Sequence, residues 1–260
     1  MNPVLVHIWG PLSIHAYGFF IALGALLAVL LAKHDKKLAS ITPFDNFLTS
    51  VQLITFFGYL GGRILCLISE PGEKDITSIF KFWEPGLSVQ GAIIGAIGSL
   101  FIFVKIKKID FLPFIDRISI YAPLVQSFGR LGCFFAGCCY GQKTNIFWAV
   151  TYDHPEHMAP LNIPLHPTQL YSSALLFLSF LILFFYVQRK KLPKGFIFFI
   201  YLILVSSERF IVEFFRWDQS WISSVGFLSI LSINQWISLS IISFAMVSMI
   251  TLHFFRKYKK

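Results

Sequence analysis

Ala16-Tyr17-Gly18-Phe19-Phe20-Ile21-Ala22-Leu23-Gly24-Ala25-Leu26-Leu27-Ala28-Val29-Leu30-Leu31-Ala32 carries no charge along its whole length, and is then met by Lys33, Lys36 and Lys37. A helix that crosses a bilayer needs about 20 mostly apolar residues, and this run approaches that length. Six more stretches read the same way: Phe47–Ile68, Leu87–Val104, Phe114–Phe135, Gln169–Val187, Gly195–Phe215 and Ile233–Phe254. The chain as a whole agrees. Of its 260 residues 56% are hydrophobic and only 13% charged, with 30 phenylalanines and a mean hydropathy of +0.69. Too little polar surface remains to coat a soluble globule, and disorder needs the opposite composition. The reading is an all-α polytopic membrane protein of seven transmembrane helices. It forms a single membrane domain over residues 1–260, with short outer loops near 69–86, 136–168 and 216–232. Met1–His15 has no Lys or Arg and no small-residue cleavage site follows, so the first span is expected to stay rather than act as a signal peptide.

Basic residues orient such a bundle, because they collect in cytoplasmic loops. Lys33, Lys36 and Lys37 follow span one. Lys105, Lys107, Lys108 and Arg117 lie between spans three and four. Arg189, Lys190, Lys191 and Lys194 separate spans five and six, and Arg256, Lys257, Lys259 and Lys260 end the chain. In the seven-span arrangement these fall on one side, against only Lys74, Lys81 and Lys143 on the other. The N-terminus is therefore expected outside and the C-terminus in the cytoplasm. The net charge of +9 is then mostly topology and anionic-lipid contact, and nucleic acid is not an expected partner.

Four arginines remain: Arg63, Arg130, Arg209 and Arg216. A charge at bilayer depth is expensive and points to function. Arg209, Glu213 and Arg216 fall at i, i+4 and i+7, one face of a helix. A structural Arg–Glu bridge accounts for part of this. Four arginines against the two nearby glutamates, Glu208 and Glu213, leave an excess of guanidinium, which suits an anion such as a phospholipid phosphate.

Glycines mark the same places. Gly91, Gly95 and Gly98 in span three have the small-residue spacing of close helix packing. Gly129, Gly132, Gly137 and Gly141 around Arg130 are denser, and predict a break from helix to loop there, with amides free for an anion. Cys133, Cys138 and Cys139 follow. Their C-x4-C-C spacing differs from the usual paired zinc ligands, so no metal and no cofactor is expected. A disulfide and plain buried thiols are both open readings, and Cys66 reads as core. His166 and Tyr171 at the start of span five, like His15 and Tyr17 at the start of span one, suit aromatic anchors at the interface.

Taken together, Ser13-Ile14-His15-Ala16-Tyr17-Gly18, Gly61-Gly62-Arg63, Gly86-Leu87-Ser88 with Gly91 and Ile94-Gly95, Gly129-Arg130-Leu131-Gly132 with Gly141, His166-Pro167-Thr168-Gln169-Leu170-Tyr171, and Arg209 with Val212-Glu213-Phe214-Phe215-Arg216 resemble the prolipoprotein diacylglyceryl transferase family. The motifs run in the family's order over nearly the whole chain. Two places depart. Where the family's third span carries a histidine before two glycines, this chain has Gln90-Gly91-Ala92. Where asparagines and a glutamate follow the Gly-Arg-x-Gly element, it has Cys133, Ala136 and Cys138. These departures leave open a divergent transferase or a relative with a changed substrate.

The resemblance implies a multi-pass enzyme of the bacterial cytoplasmic (inner) membrane, active toward the periplasmic side, whose partners are phosphatidylglycerol, the lipobox segment of prolipoproteins and the bilayer. It implies that a lipobox cysteine thiol attacks the glycerol carbon bearing the phosphate, leaving a thioether and glycerol phosphate. Arg130 and Arg209 are then the expected phosphate ligands, with Glu213 orienting Arg209 or holding the headgroup. Tyr17 and Tyr171 would donate hydrogen bonds, Gly132 and Gly141 would admit the lipid, and Arg63 and His166 would complete the binding set. Gln90 cannot serve as a base but can hydrogen-bond the thiol or the glycerol hydroxyl. His15, His166 and Cys138 stand as alternative proton acceptors. A transporter of an anionic lipid-like substrate, and a thiol or metal enzyme built on the cysteines, are the rival readings.

Overall fold

Long runs of Leu, Ile, Phe and Ala satisfy their own backbone polar groups only by coiling into helices, which is what a bilayer demands. The computed structural model describes residues 4–9, 12–69, 79, 86–219 and 230–258. Two short strands, β1 (Val4–Trp9) and β2 (Leu12–His15), lead into helix α1 (Ala16–Lys33). Then come α2 (Lys36–Ala39), α3 (Phe44–Ser69), α4 (Val89–Ile106), α5 (Phe111–Ala136), α6 (Thr168–Leu181), α7 (Phe196–Glu213) and α8 (Ile233–Tyr258). Helix α6 continues through a wide turn, Ile182–Tyr186, and a tight one, Val187–Arg189. Lys74, Lys81, Lys259, Lys260 and most of the expected outer loops at 69–86 and 216–232 lie outside the described residues.

Every predicted span corresponds to one helix. Five of them, α1, α3, α4, α6 with its continuation, and α8, are long and apolar enough to cross a membrane. Helices α5 and α7 fall short because they hold the polar residues: Asp116, Arg117, Gln126 and Arg130 in the first, Glu208, Arg209 and Glu213 in the second. Arg117, grouped with the loop charges although it falls within the expected span Phe114–Phe135, is inside α5 and buried, with its Nη2 donating to Gln188 Oε1 at 2.7 Å. A guanidinium at a helix start can reach a side chain on the next span, so loop charge and buried charge are not separable by position alone.

The chain divides into two compact units. The smaller holds α2, α3 and α4, the larger α1 and α5 to α8. In the smaller unit glycine sets the packing. A Cβ at Gly61 or Gly91 would collide with the other's backbone carbonyl, and one at Gly95 with the carbonyl of Phe57. Helices α3 and α4 therefore touch backbone to backbone, as small residues at four-residue spacing permit. Arg63 is buried on this pair. Its Nη1 donates to the Gly86 carbonyl at 2.8 Å and its Nε to Tyr59 Oη at 3.2 Å, with the guanidinium 5.6 Å from the Tyr59 ring centre. Gln90, in the first turn of α4, is exposed, and its Oε1 accepts from Ser88 Oγ at 3.0 Å.

The larger unit is knitted by polar contacts between helices. Ser127 Oγ of α5 donates to the Ser173 carbonyl of α6 at 2.9 Å, and Gln126 Nε2 donates to Tyr201 Oη of α7 at 2.9 Å. In α1, Tyr17 lies against α5, where a Cβ at Gly132 would be 2.8 Å from Tyr17 Cα. The predicted break around Arg130 does not occur there: α5 runs unbroken through Gly129, Arg130 and Gly132 to Ala136. Gly132 serves close packing, and the chain turns only at Gly137, whose φ is +70°.

Candidate active site

The turn at Gly137 is a helix C-cap built from hydrogen bonds. The Gly137 amide donates to the Phe134 carbonyl at 3.3 Å and the Cys138 amide to the Cys133 carbonyl at 3.2 Å. That pair of bonds is the Schellman arrangement, with glycine in the left-handed position. A side chain at Gly137 would also press on His157 Cβ, 3.0 Å away. The same arrangement brings the residue four before the glycine beside the residue after it. Here those residues are Cys133 and Cys138.

Beyond the turn, three segments lie side by side. The Gly141 amide donates to the His166 carbonyl at 3.0 Å and the His166 amide to the Gln142 carbonyl at 2.9 Å. The Gln142 amide donates to the Phe215 carbonyl at 2.8 Å and the Trp217 amide to the Tyr140 carbonyl at 3.3 Å. Gly141 is fenced closely: an added Cβ would sit 2.5 Å from His166 Cβ and 2.6 Å from the Phe215 carbonyl oxygen. Gly141 thus admits the two flanking segments, and only glycine fits.

Helix α7 ends at Glu213, so Arg216 is not on the helical face that its spacing predicts. It stands in the extended segment bridged to Gly141. Phe215 and Trp217 pair with the loop after α5, and this pairing unwinds the last predicted turn. Glu213 is fully buried and is the hub of the acidic contacts. Its Oε2 is 3.0 Å from Arg209 Nη2 and 4.0 Å from Arg216 Nε, while Oε1 accepts from Ser232 Oγ at 3.0 Å and Asn234 Nδ2 at 2.9 Å. Arg216, itself buried, is clamped by Asp218 through two bonds of 2.8 and 2.6 Å. Burial alone would lower Arg216, but the Asp218 carboxylate raises it, and in return Arg216 holds the Asp218 carboxyl below the usual range.

Arg130 differs from both. Half-buried near the end of α5, it makes no hydrogen bond or ion pair among the described residues. Its charge and that of Arg216 are nevertheless both felt at Arg209 and at Cys139. Three guanidiniums thus share one locality, two with committed carboxylates and one without. Glu208, buried on α7, accepts a hydrogen bond from Ser172 Oγ and feels all three arginines. In sequence Glu208 reads only as a neutralising charge, and its neighbour Arg209 in an otherwise apolar span is the signal that marks it.

At the start of α6, Tyr171 Oη accepts from Trp148 Nε1 at 2.7 Å and lies 3.2 Å from His166 Nδ1. Indole N–H can only donate, which leaves the Tyr171 hydroxyl proton available, and the imidazole tautomer sets which of Tyr171 and His166 donates to the other. Burial lowers the His166 pKa, which keeps the imidazole neutral at pH 7 and able to accept that proton. Of the expected site residues, Tyr17, Arg130, Gly132, Gly141, His166, Tyr171, Arg209 and Glu213 belong to the larger unit, and Arg63 and Gln90 to the smaller.

The three cysteines are free thiols whose sulfurs all lie within 4.8 Å of one another. Hydrogen bonds from Cys133 and Cys138, reinforced by the Arg216 and Arg130 guanidiniums, hold the Cys139 thiol well below its ordinary range against the effect of burial.

The sequence matches the model of the family described as prolipoprotein diacylglyceryl transferase over residues 3–251. The chain belongs to that family. Among curated members of the prolipoprotein diacylglyceryl transferase family, a Clostridium tetani protein named phosphatidylglycerol–prolipoprotein diacylglyceryl transferase is 39% identical over 241 residues, covering 92% of this chain and 93% of its own length. A Clostridium perfringens protein of the same name, numbered 2, is 36% identical over 245 residues, covering 93% and 92%. A Tolumonas auensis protein of that name is 30% identical over 253 residues, covering 96% and 95%. The alignments therefore run through both units, and through the arginine cluster as well as the glycine-packed pair.

Proposed function

We propose that this protein transfers the diacylglyceryl group of phosphatidylglycerol to the lipobox cysteine of bacterial prolipoproteins. Membership of the family over residues 3–251 supports the reaction. The observation that carries the site is Arg130, a half-buried guanidinium with no carboxylate partner among the described residues, beside two arginines that have theirs. A half-buried cation in that state is poised for an external anion, and a phosphodiester offers oxygens matched to the guanidinium fork.

In this reading the phosphate binds Arg130 and Arg209, the latter held in place by Glu213. The precursor thiolate attacks the glycerol carbon that bears the phosphate, because the thiolate is the nucleophile. A C–S bond forms as the C–O bond breaks, the electron pair passes to the phosphate oxygen, and glycerol phosphate leaves. The arginines, already in position, stabilise the charge that grows on that oxygen. Alignment of thiol and lipid supplies the remaining advantage through proximity. Tyr17 borders the headgroup and His166 with Tyr171 lines it; Gly132 and Gly141 keep the backbone close. All seven long helices span the inner membrane, with the N-terminus periplasmic, the C-terminus cytoplasmic and the site toward the periplasm.

Complementation of a strain depleted of its own transferase tests the reaction. Growth with the wild-type gene, and accumulation of unmodified precursor with Arg130→Ala, is the expected result. Failure of the wild-type gene to restore labelled lipoprotein, with the protein present in the membrane, would refute the proposal.

A further inference from the structure

The departure at Cys133, Cys138 and Cys139 has its own geometry. The C-cap brings Cys133 and Cys138 together, and Cys138 Sγ is 3.7 Å from the Cys133 carbonyl oxygen. Neighbouring side chains on extended backbone point to opposite sides. Cys139 avoids this by adopting φ of +59°, a left-handed conformation that is strained for a non-glycine residue. Two buried side chains hold the strained loop. Gln169 Nε2 donates to the Cys138 carbonyl at 2.7 Å and Thr168 Oγ1 to the Cys139 carbonyl at 2.8 Å. Three free thiols from a stretch of seven residues therefore face one point.

We propose that Cys133, Cys138 and Cys139 form a three-thiolate site for a thiophilic divalent ion of the zinc class, with a fourth position that receives the lipobox thiol. This rests on the transferase reading. Bonds of about 2.3 Å in a tetrahedral site put sulfurs about 3.8 Å apart, so thiols within 4.8 Å need only small side-chain rotations. Three thiolates around a divalent ion leave one negative charge, which Arg130 and Arg216 beside the cluster offset. Zinc sites with three protein ligands keep an open position for a reacting group, and Cys138 and Cys139 are half-buried rather than sealed. A thiol that coordinates such an ion is deprotonated outright. The chain has Gln90, which cannot take a proton, and an ion that binds the substrate thiol as thiolate removes the need for a base. In the step, the lipobox thiol displaces water from the ion and releases its proton to solvent. The bound sulfur forms the C–S bond while the C–O bond to phosphate breaks, and the neutral thioether, a weak ligand, dissociates. No oxidant or reductant is consumed.

The test uses the full-length protein in detergent, purified with a non-chelating reductant. Metal analysis should find one zinc per chain that survives desalting, and Cys133→Ser, Cys138→Ser and Cys139→Ser should each lose it. Cobalt put in place of zinc should show thiolate-to-metal charge-transfer absorption. Its visible bands should shift on adding a lipobox peptide, but not the same peptide with serine for cysteine. Wild-type protein that binds neither zinc nor cobalt would overturn the proposal, as would binding that the three serine variants leave unchanged. Transfer of labelled lipid that continues in metal-free protein also overturns it, and leaves the transferase reading standing. A cobalt spectrum that responds to the peptide in a protein that never transfers lipid would uphold the thiol site and refute the transferase reading instead.

Discussion

The α3–α4 pair and the joined ends of α5 and α7 use the same residue, glycine, for opposite purposes. In the first, Gly61, Gly91 and Gly95 remove side chains so that two helices touch along their backbones. The contact at these three positions is made by backbone atoms. In the second, Gly137 and Gly141 let the chain leave the helix and lie against other segments, and the polar groups thereby brought in are Arg130, Arg209, Arg216, Glu213 and three cysteines. Glycine at four-residue spacing reads as packing. Glycine beside an arginine and after a helix end reads as a turn that builds a site.

The comparison can be broken most forcefully at Glu213. Removing one member of a buried ion pair costs about 3–5 kcal/mol. Glu213→Ala is therefore expected to lower the unfolding temperature in detergent more than any other change named here, and an unchanged temperature would mean that Glu213 is not the hub of its region. Arg130→Ala should act on rate rather than stability. Loss of one preorganised donor to developing negative charge costs about 100- to 1,000-fold in turnover. Transfer from labelled phosphatidylglycerol to a lipobox peptide measures it, and near-normal turnover would remove Arg130 from the phosphate site. Gly95→Val should do the reverse in the α3–α4 pair. Overpacking there costs about 1–3 kcal/mol, seen as a lower unfolding temperature in detergent.

The smallest effect concerns Asp218. Its carboxyl is held below the usual value by Arg216. The stabilisation is therefore complete above the unfolded carboxylate value of about 3.9, and is lost as the pH falls through the lower folded value. Unfolding temperature should show no Asp218-dependent change from pH 7 to 5, and a decline below about pH 4 that Asp218→Asn flattens. Because Asp218 is exposed, the effect should also shrink with added salt.

The seven helices were legible because hydrophobic length is a local property: Ala16 to Ala32 spells a helix whatever lies beside it. The arginines were legible for a related reason, since a charge in an apolar run stands out without any knowledge of partners. Arg209 and Glu213 met as their spacing predicts, because both lie within α7. Arg216 did not, because pairing of the chain around Gly141 with the segment 215–217 outweighs one more turn of helix. Nor could spacing separate Arg117, buried against Gln188, from the loop lysines near it.

Composition and pattern by themselves determined the membrane class, the helices, the excess of guanidinium and the family motifs, since each depends on residues close together in the chain. Tertiary structure alone decided that Arg130, among the described residues, is without a carboxylate partner and that Glu213 collects partners from α7 and from Ser232 and Asn234. It also decided that Cys139 turns back to meet Cys133 and Cys138. Those outcomes hang on side-chain bonds from Thr168 and Gln169 to the Cys139 and Cys138 carbonyls and on the carbonyls of Phe215 and His166. Such contacts join residues far apart in sequence, and no local period records them.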